Sequence, residues 1–291
     1  MALGVLVGHE DRPEAVAQAD ALAAALIDDS HQVERSDDPR FAANGLDDAT
    51  DLVVSLGGDG SILRAVDLLA GRRSPILGVN HGELGYLTTV EPTEAYSSVV
   101  RALAGDHDLE ERMMLRVEVQ RKVGGGVTEV VAHALNEVVV ERRATDGEAG
   151  GQTVRVGVTL DGEPFTSYAA DGLIAATPTG STAYAFSARG PIVDPLHRSI
   201  QLTPVSPHMR FDRTLVLDPS TEVGIEVLGP RAATCTVEGR PVADLAGGDR
   251  VVCTAAERVA RLVTFGPRDL RGLLVDRFGL ADRGTGWCSD W

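Results

Sequence analysis

The chain is poor in several things, and each shortage excludes something. No apolar run reaches the ~18 residues that a membrane-spanning helix needs. The start, Met1-Ala2-Leu3-Gly4-Val5, has no basic stretch followed by an apolar segment and a cleavage site. The expectation is a soluble, cytoplasmic protein with no membrane partner. Aromatic residues make up only 4% of the chain against 43% apolar residues, so the core must be built mainly from Val, Leu, Ala and Ile. Lys122 is the only lysine, and the formal net charge is −16. Such a surface repels nucleic acid, and it repels anionic nucleotides too unless cations or local dipoles intervene. Acidic excess with scarce lysine is the composition of a protein kept soluble in a very salty cytoplasm, as in halophilic archaea.

The three cysteines, Cys235, Cys253 and Cys288, are scattered, with no Cys-x-x-Cys. They read as free thiols in a reducing compartment. No two of the seven histidines have His-x-x-x-His spacing, so His81, His133 and His208 read as structural and no metal-ligating residues are assigned. Two nucleotide signatures are also missing. There is no Gly-x-x-x-x-Gly-Lys-Ser/Thr, and no Gly-x-Gly-x-x-Gly follows the first apolar strand. A Walker-type ATPase and a dehydrogenase are both disfavoured.

What is present falls into two regions. Over the first hundred residues strand and helix signals alternate: Leu3 to Val7, a helical stretch from Pro13 to Ile27, the apolar strand Asp51 to Leu56, a helix from Ile62 to Ala70 closed by Gly71, and a strand from Pro75 to Asn80. That alternation implies a parallel sheet with helical crossovers. From about Glu111 period-two patterns dominate: Met114 to Gln120, a Gly124-Gly125-Gly126 turn, Val127 to Val140 running back, and Val154 to Leu160 followed by the hairpin signal Asp161-Gly162. Val223 to Leu228, Ala233 to Val237 and Arg250 to Thr254 continue the series, and Arg268 to Leu280 is helical again. The expected fold is an N-terminal α/β parallel-sheet nucleotide-binding domain, 1–108 with the C-terminal helical region 262–291, joined to a C-terminal antiparallel β-sandwich-like domain, 109–261. Glu141 to Gln152 is the best candidate for a flexible loop.

Three runs carry chemistry. In Leu56-Gly57-Gly58-Asp59-Gly60-Ser61, between a buried strand and a helix, glycines let the backbone approach a ligand. Ser61 can cap the helix, whose start offers free N–H groups to phosphate. Asp59 is the odd member: a carboxylate beside phosphates is repulsive unless it holds a cation or accepts a hydroxyl proton, although it can also simply stabilise the turn. In Asp171 to Tyr184, an apolar strand ends in Thr177-Pro178-Thr179-Gly180 and a helix is expected to start with Ser181 as cap. Hydroxyls and amides bunch there, and Tyr184 could stack on a base. Asn136-Glu137 interrupts an apolar stretch, and burying the two unpaired costs roughly 1–3 kcal/mol each. An amide and a carboxylate together can bind a base edge and a ribose diol; a solvent-exposed strand edge or bulge is the other reading.

In this order the runs resemble the NAD kinase family. Gly57 to Ser61, Gly78-Val79-Asn80 to Leu87, Asn136-Glu137 and Asp171 to Val193 match its pattern, as do Leu202-Thr203-Pro204, Pro207-His208 and Leu215-Val216-Leu217. The likeness is clear over about residues 50–220. The Asp171–Tyr184 run is highly specific, whereas Gly-Gly-Asp-Gly alone is shared with lipid kinases of the wider superfamily.

The resemblance implies transfer of a phosphoryl group from ATP or polyphosphate to the 2′-hydroxyl of the adenosine ribose of NAD, with a site between the two domains. A divalent metal, Mg²⁺, is carried by the phosphate donor, and the enzyme is a homo-oligomer, dimer or tetramer. By the same resemblance Asp59 is the catalytic carboxylate. Gly58 and Gly60 lie against the ligand and Arg64 meets a phosphate. Asn136 and Glu137 hold NAD, Asp171 hydrogen-bonds the ligand, and Thr182, Ala183, Tyr184, Ala185, Phe186 and Ser187 line the nucleotide pocket.

Four departures stand out. Ser61 replaces a Thr; Glu83 stands where many relatives carry a basic residue; Ala169 stands where an Arg often precedes Asp-Gly; and Glu238-Gly239-Arg240 replaces a common Asp-Gly-Gln. They leave a non-catalytic nucleotide-binding paralogue, or a lipid kinase of the same superfamily, as alternatives.

Overall fold

The computed structural model describes residues 2–8, 12–39, 41, 45–82, 85–123, 126–143, 153–267 and 269–280. Glu83, Cys288, Gly124-Gly125 and most of the Glu141–Gln152 segment lie outside the described residues. The chain divides into two compact units, Met1–Glu110 with Arg261–Trp291, and Glu111–Ala260. The first is α/β, the second all β.

The first unit is built on β1 (Leu3–Gly8), β2 (Gln32–Arg35), β3 (Leu52–Gly57) and β4 (Ile76–Asn80), all parallel, in the order β2-β1-β3-β4. All six residues of β3 are buried, as expected of a strand covered on both faces. Helix α1 (Pro13–Asp28) starts on a proline, which loses no hydrogen bond at that position. It buries Ala15, Ala19, Leu22 and Leu26, a stripe at helical spacing, against Leu6, Leu52 and Leu56. Helices α2 (Asp59–Leu69) and α3 (Ala95–Leu103) complete this unit's main layers. After β1 the chain places β2 on one side and β3 on the other, so the winding reverses between β1 and β3. The crevice outside the carboxyl ends of strands at such a reversal is where open α/β sheets bind ligands. Gly57, at the end of β3, leads there directly into the Gly-Gly-Asp-Gly turn.

In the second unit β5 (Asp108–Val123) pairs with β6 (Gly126–Ala134), and β7 (Glu137–Arg142) follows after a bend at Leu135-Asn136. The expected single strand from Val127 to Val140 is therefore two strands, each in a different sheet. Two residues bend the chain without glycine or proline, so the apolar pattern runs on across the break. The hairpin of β8 (Val154–Leu160) and β9 (Glu163–Ala170) turns on Asp161 and Gly162, both at positive φ (52° and 80°), the left-handed two-residue turn that suits twisted strands.

One sheet contains β10 (Gly172–Ala176), β11 (Ile200–Val205), β12 (Leu215–Leu217), β14 (Ala233–Val237) and β15 (Arg240–Leu245), ordered β12-β11-β10-β7-β14-β15. The other runs β16-β13-β8-β9 through β13 (Val223–Val227) and β16 (Arg250–Thr264), with β5 joined to β16. Leu173, Ala175, Val138 and Cys235 of the first pack with Val156, Ile225, Val251 and Cys253 of the second in one core. Both cysteines are free and buried, and burial pushes their thiols well above the ordinary range.

The last residues of β16, from Arg261, belong to the first unit, as does α5 (Leu270–Phe278), which the sequence placed at Arg268 to Leu280. The Arg277 guanidinium lies over the Tyr86 ring at 5.2 Å, and Arg101 over Phe265 at 4.5 Å. Among the described residues no helix is long and apolar enough to cross a membrane.

Tyr168 is the largest fully buried side chain, and its hydroxyl has no hydrogen-bond partner among the described residues. Tyr168→Phe removes a desolvated polar atom and leaves the ring in place, so it should stabilise the protein by about 1 kcal/mol in urea unfolding. A loss of stability would mean that the hydroxyl is satisfied, for example by an internal water.

Candidate functional site

The Gly-Gly-Asp-Gly turn converts β3 into α2. Gly58 is the N-cap position with extended backbone, and Asp59 is the first residue of the helix, where a carboxylate complements the helix dipole. Ser61 does not cap the helix. It sits inside the first turn, donates its backbone N–H to Gly58 O at 2.9 Å, and buries a side-chain oxygen that has no partner among the described residues. The Asp59 carboxylate is fixed from the other side. Tyr86 N–H donates to its Oδ2 at 2.9 Å and Leu87 N–H to its Oδ1 at 3.0 Å. Gly85 is required for that clasp: a Cβ there would collide with the Asp59 carboxylate and lie 2.7 Å from Thr88 Oγ1.

A carboxylate can accept about four hydrogen bonds, so half of that capacity is left. Gly58 and Gly60 are different. Neither has a positive φ, and a Cβ on either would meet nothing within 4 Å. Among the described residues nothing demands glycine at these two positions, and their lack of side chains leaves open space beside Asp59. Arg64 is half-buried further along the same helix.

In the β unit Asn136 lies in the bend before β7, and Glu137 is the first residue of that strand. The bend is tied to the Thr-Pro-Thr-Gly turn. Thr177 N–H donates to Asn136 O at 2.9 Å, Thr177 Oγ1 donates to Leu135 O at 2.5 Å, and Gly180 N–H donates to Thr177 Oγ1 at 3.1 Å. Gly180 packs directly on the Asn136 peptide: a Cβ would sit 2.6 Å from its carbonyl carbon. Glu137 is buried, and its Oε2 has no partner among the described residues. Burial pushes its carboxyl up to about 7, against a smaller opposite pull from the Tyr184 backbone N–H. A half-satisfied buried carboxylate is costly to the fold and is poised for a hydroxyl donor.

After the turn come a short 3₁₀ segment, Thr179–Thr182, and a single helical turn, α4 (Tyr184–Ser187). Ser181 is not a cap here either. Its hydroxyl donates to Val193 O at 3.1 Å and accepts from Val193 N–H at 3.0 Å, which pins the segment returning after Gly190. Thr182 Oγ1 is turned inward onto Thr179 O at 3.2 Å. Ala183 links the two helical turns. Ala185 is buried against Val139, Ile174 and Ala176, so it anchors α4 on the sheet, while Tyr184, Phe186 and Ser187 are exposed. Tyr184 stands close enough to Glu141, Asp171 and Glu137 for their negative charges to add to burial in raising its hydroxyl pKa. Asp171, at the entrance to β10, is half-exposed and ion-paired with Arg142, Nε to Oδ1 at 3.2 Å.

The β unit carries Asn136 and Glu137 at one end of the β7–β10 pair and Asp171 at the other, with the Thr182–Ser187 segment after the turn; in the α/β unit Gly58, Asp59, Gly60 and Arg64 lie in the first part of α2 and its cap. Tyr184 and Ser187 also line a cleft of about 590 Å³ with Arg189, Pro204, Arg213 and Thr214. Sequence reasoning missed Arg189 and Arg213, and it missed Arg112, a buried arginine whose NH1 reaches Thr179 Oγ1 at 3.4 Å. No local pattern marks Arg112, because its contact lies 67 residues away.

Residues 6–107 match the family model for the ATP-NAD kinase N-terminal domain, and residues 135–265 match that for the ATP-NAD kinase C-terminal domain. The chain is 40% identical over 241 residues to the NAD kinase of Leifsonia xyli subsp. xyli, covering 81% of this chain and 75% of that one. It is also 40% identical over 228 residues to the NAD kinase of Heliobacterium modesticaldum, covering 78% of each. Among solved structures, yeast NADH kinase complexed with NADH has the same fold (TM-score 0.86, 24% identity, 97% of this chain and 89% of that one). An NAD kinase from Archaeoglobus fulgidus in complex with ATP matches at TM-score 0.70 and 25% identity, over 96% of this chain and 98% of that one.

Two outcomes are expected from this geometry. Gly180→Ala forces a methyl group into the Asn136 peptide and should destabilise the β unit by about 1–3 kcal/mol in denaturant unfolding; an unchanged midpoint would mean that the turn can move away freely. Glu137 ionises near 4.5 in an unfolded chain and near 7 in the folded one. Between those values the folded state keeps a proton that the unfolded state has released, so stability falls as pH rises through the window. Glu137→Gln should therefore gain stability relative to wild type from pH ~4.5 to ~7, reaching at most about 3 kcal/mol, and the difference should be flat above that. A difference independent of pH would show that Glu137 ionises normally.

Proposed function

Because the chain belongs to the NAD kinase family and is an enzyme that phosphorylates NAD, we propose that it moves a phosphoryl group from ATP to the 2′-hydroxyl of the adenosine ribose, with Asp59 as proton acceptor and the β unit as the NAD-binding domain. The observation that carries the proposal is the Asp59 carboxylate, held by two backbone N–H groups and flanked by two glycines that leave the space beside it open. Gly58 and Gly60 then lie against the ligand, and Arg64 supplies a cation toward phosphate.

A ribose hydroxyl is far too weak an acid to be deprotonated by a carboxylate in the ground state. Asp59 uses its remaining acceptor capacity to orient the hydroxyl and takes its proton late, as the bond to phosphorus forms. Transfer of this kind depends on positioning and charge neutralisation more than on covalent chemistry. Mg²⁺ carried on the donor phosphates would supply positive charge that this acidic chain lacks, and we assign it no protein ligands.

In the β unit Glu137, with its spare oxygen, accepts hydroxyls of NAD, and Asn136 holds the same ligand. Asp171 hydrogen-bonds it, Tyr184 and Phe186 offer exposed aromatic faces, and Thr182, Ala183, Ala185 and Ser187 shape the pocket around it. The NADH of the yeast structure and the ATP of the archaeal one support this pair of ligand classes. The proposal extends to polyphosphate as a second donor and to a cytoplasmic homo-oligomer, dimer or tetramer, adapted to high salt. The NAD kinase names of the relatives do not favour a lipid kinase or a nucleotide-binding paralogue without turnover.

The test is NADP formation by purified protein in molar KCl with Mg²⁺, offering ATP or polyphosphate, beside Asp59→Asn. Wild type should make NADP, and the substitution should lower kcat by about 10²–10⁴-fold with NAD still bound. A variant as fast as wild type would remove Asp59 from the chemistry.

A further inference from the structure

We propose that Glu238 is a positioning residue that sets the Asn136–Glu137 pair in place for NAD; this rests on the reading above that those two residues hold NAD. Glu238 brackets the pair from the turn that follows β14. Its Oε1 accepts the Asn136 backbone N–H at 2.7 Å, and its own backbone N–H donates to Glu137 O at 3.2 Å. Thr177 holds the opposite side of the same bend through Asn136 O and Leu135 O. Between them, Glu238 and Thr177 engage both polar groups of the Asn136 backbone, so the bend has one conformation. The Asn136 amide also makes no demand on Glu137, whose own carboxylate keeps a free oxygen for a ligand.

The backbone at Glu238 argues the same way. Glu238 and Gly239 form the two-residue turn from β14 to β15, with φ of 51° and 72°. That turn favours Asn, Asp or Gly at its first position, and a glutamate there is held in a left-handed conformation it rarely adopts. Turn chemistry alone gives no reason for glutamate, whereas the extra methylene lets the carboxylate span to the Asn136 N–H. Backbone strain of this kind persists where the surroundings over-determine it. The 2.7 Å distance is at the short end of the range for an N–H···O hydrogen bond.

Glu238→Gly removes the acceptor but suits the left-handed turn, so the two effects on the unfolding temperature oppose each other and the protein should still fold. Glu238→Gln keeps the length and a carbonyl acceptor. The expected result is a KM for NAD raised roughly tenfold or more in Glu238→Gly, with the KM for ATP and kcat at saturating NAD near wild type, and with Glu238→Gln within about threefold of wild type. Glu137→Gln is measured alongside. An unchanged KM for NAD in Glu238→Gly while Glu137→Gln raises it overturns the positioning role and leaves the NAD site standing. Equal defects in Glu238→Gly and Glu238→Gln overturn it as well, because the hydrogen bond would then not be the cause. If Glu137→Gln leaves the KM for NAD unchanged, the NAD site itself is misplaced and the role of Glu238 falls with it.

Discussion

One close approach of backbone to backbone governs the β unit: the Thr177–Gly180 turn lies directly on the peptide of Asn136. It requires a residue without a side chain at Gly180, and it uses the Asn136 carbonyl to hold Thr177. Once the two segments are locked together, Glu137 at the start of β7 and α4 after the turn are fixed relative to each other, and the Tyr184 N–H is directed at the Glu137 carboxylate. The anchors farther out, Ser181 on Val193 and Ala185 in the Val139–Ile174–Ala176 cluster, keep the turn from peeling off the sheet. The start of β7 and α4 are thus placed by main-chain geometry, which is stiffer than a network of side chains.

The α/β unit reaches a similar rigidity by another route. There the carboxylate is itself the clamp, because Asp59 receives the N–H groups of Tyr86 and Leu87 and keeps acceptor capacity beyond them. In both units a glycine is spent on the close approach, Gly85 in one and Gly180 in the other. The electrostatics differ. Asp59 is held by two backbone N–H groups, whereas burial raises the Glu137 carboxyl. On a chain of net charge −16, carboxylates such as these favour hydroxyl donors over anions in their neighbourhood.

The sequence made the α/β and β regions legible because periods of 3.6 and 2 separate cleanly, and the three motifs were legible because each places polar residues where packing alone would not. The helix starts were harder. Ser61 and Ser181 have the composition of caps, but a cap is defined by where the chain enters the helix, and each serine lies one to three residues inside a turn that begins earlier. The break at Leu135-Asn136 was hidden because the chain changes sheets with no turn residue, leaving the apolar pattern continuous. Short edge strands such as β2 and β12, at four and three residues, carry too little pattern to be read. The contacts of Arg112 and Glu238 join residues 67 and 102 positions apart, and no local window contains them.

Gly58 and Gly60 also bear on how such a chain can change over generations. Since an added Cβ at either position meets nothing within 4 Å among the described residues, selection for a folded protein has little hold on these glycines, and on the function proposed above it is selection for the reaction that keeps them. The clasp at Gly85 and the turn at Gly180 are visible to both kinds of selection. A lineage released from the need for turnover would therefore drift first at Gly58 and Gly60 while its fold stayed intact, and residue identity at those two positions would separate working members from folded relics.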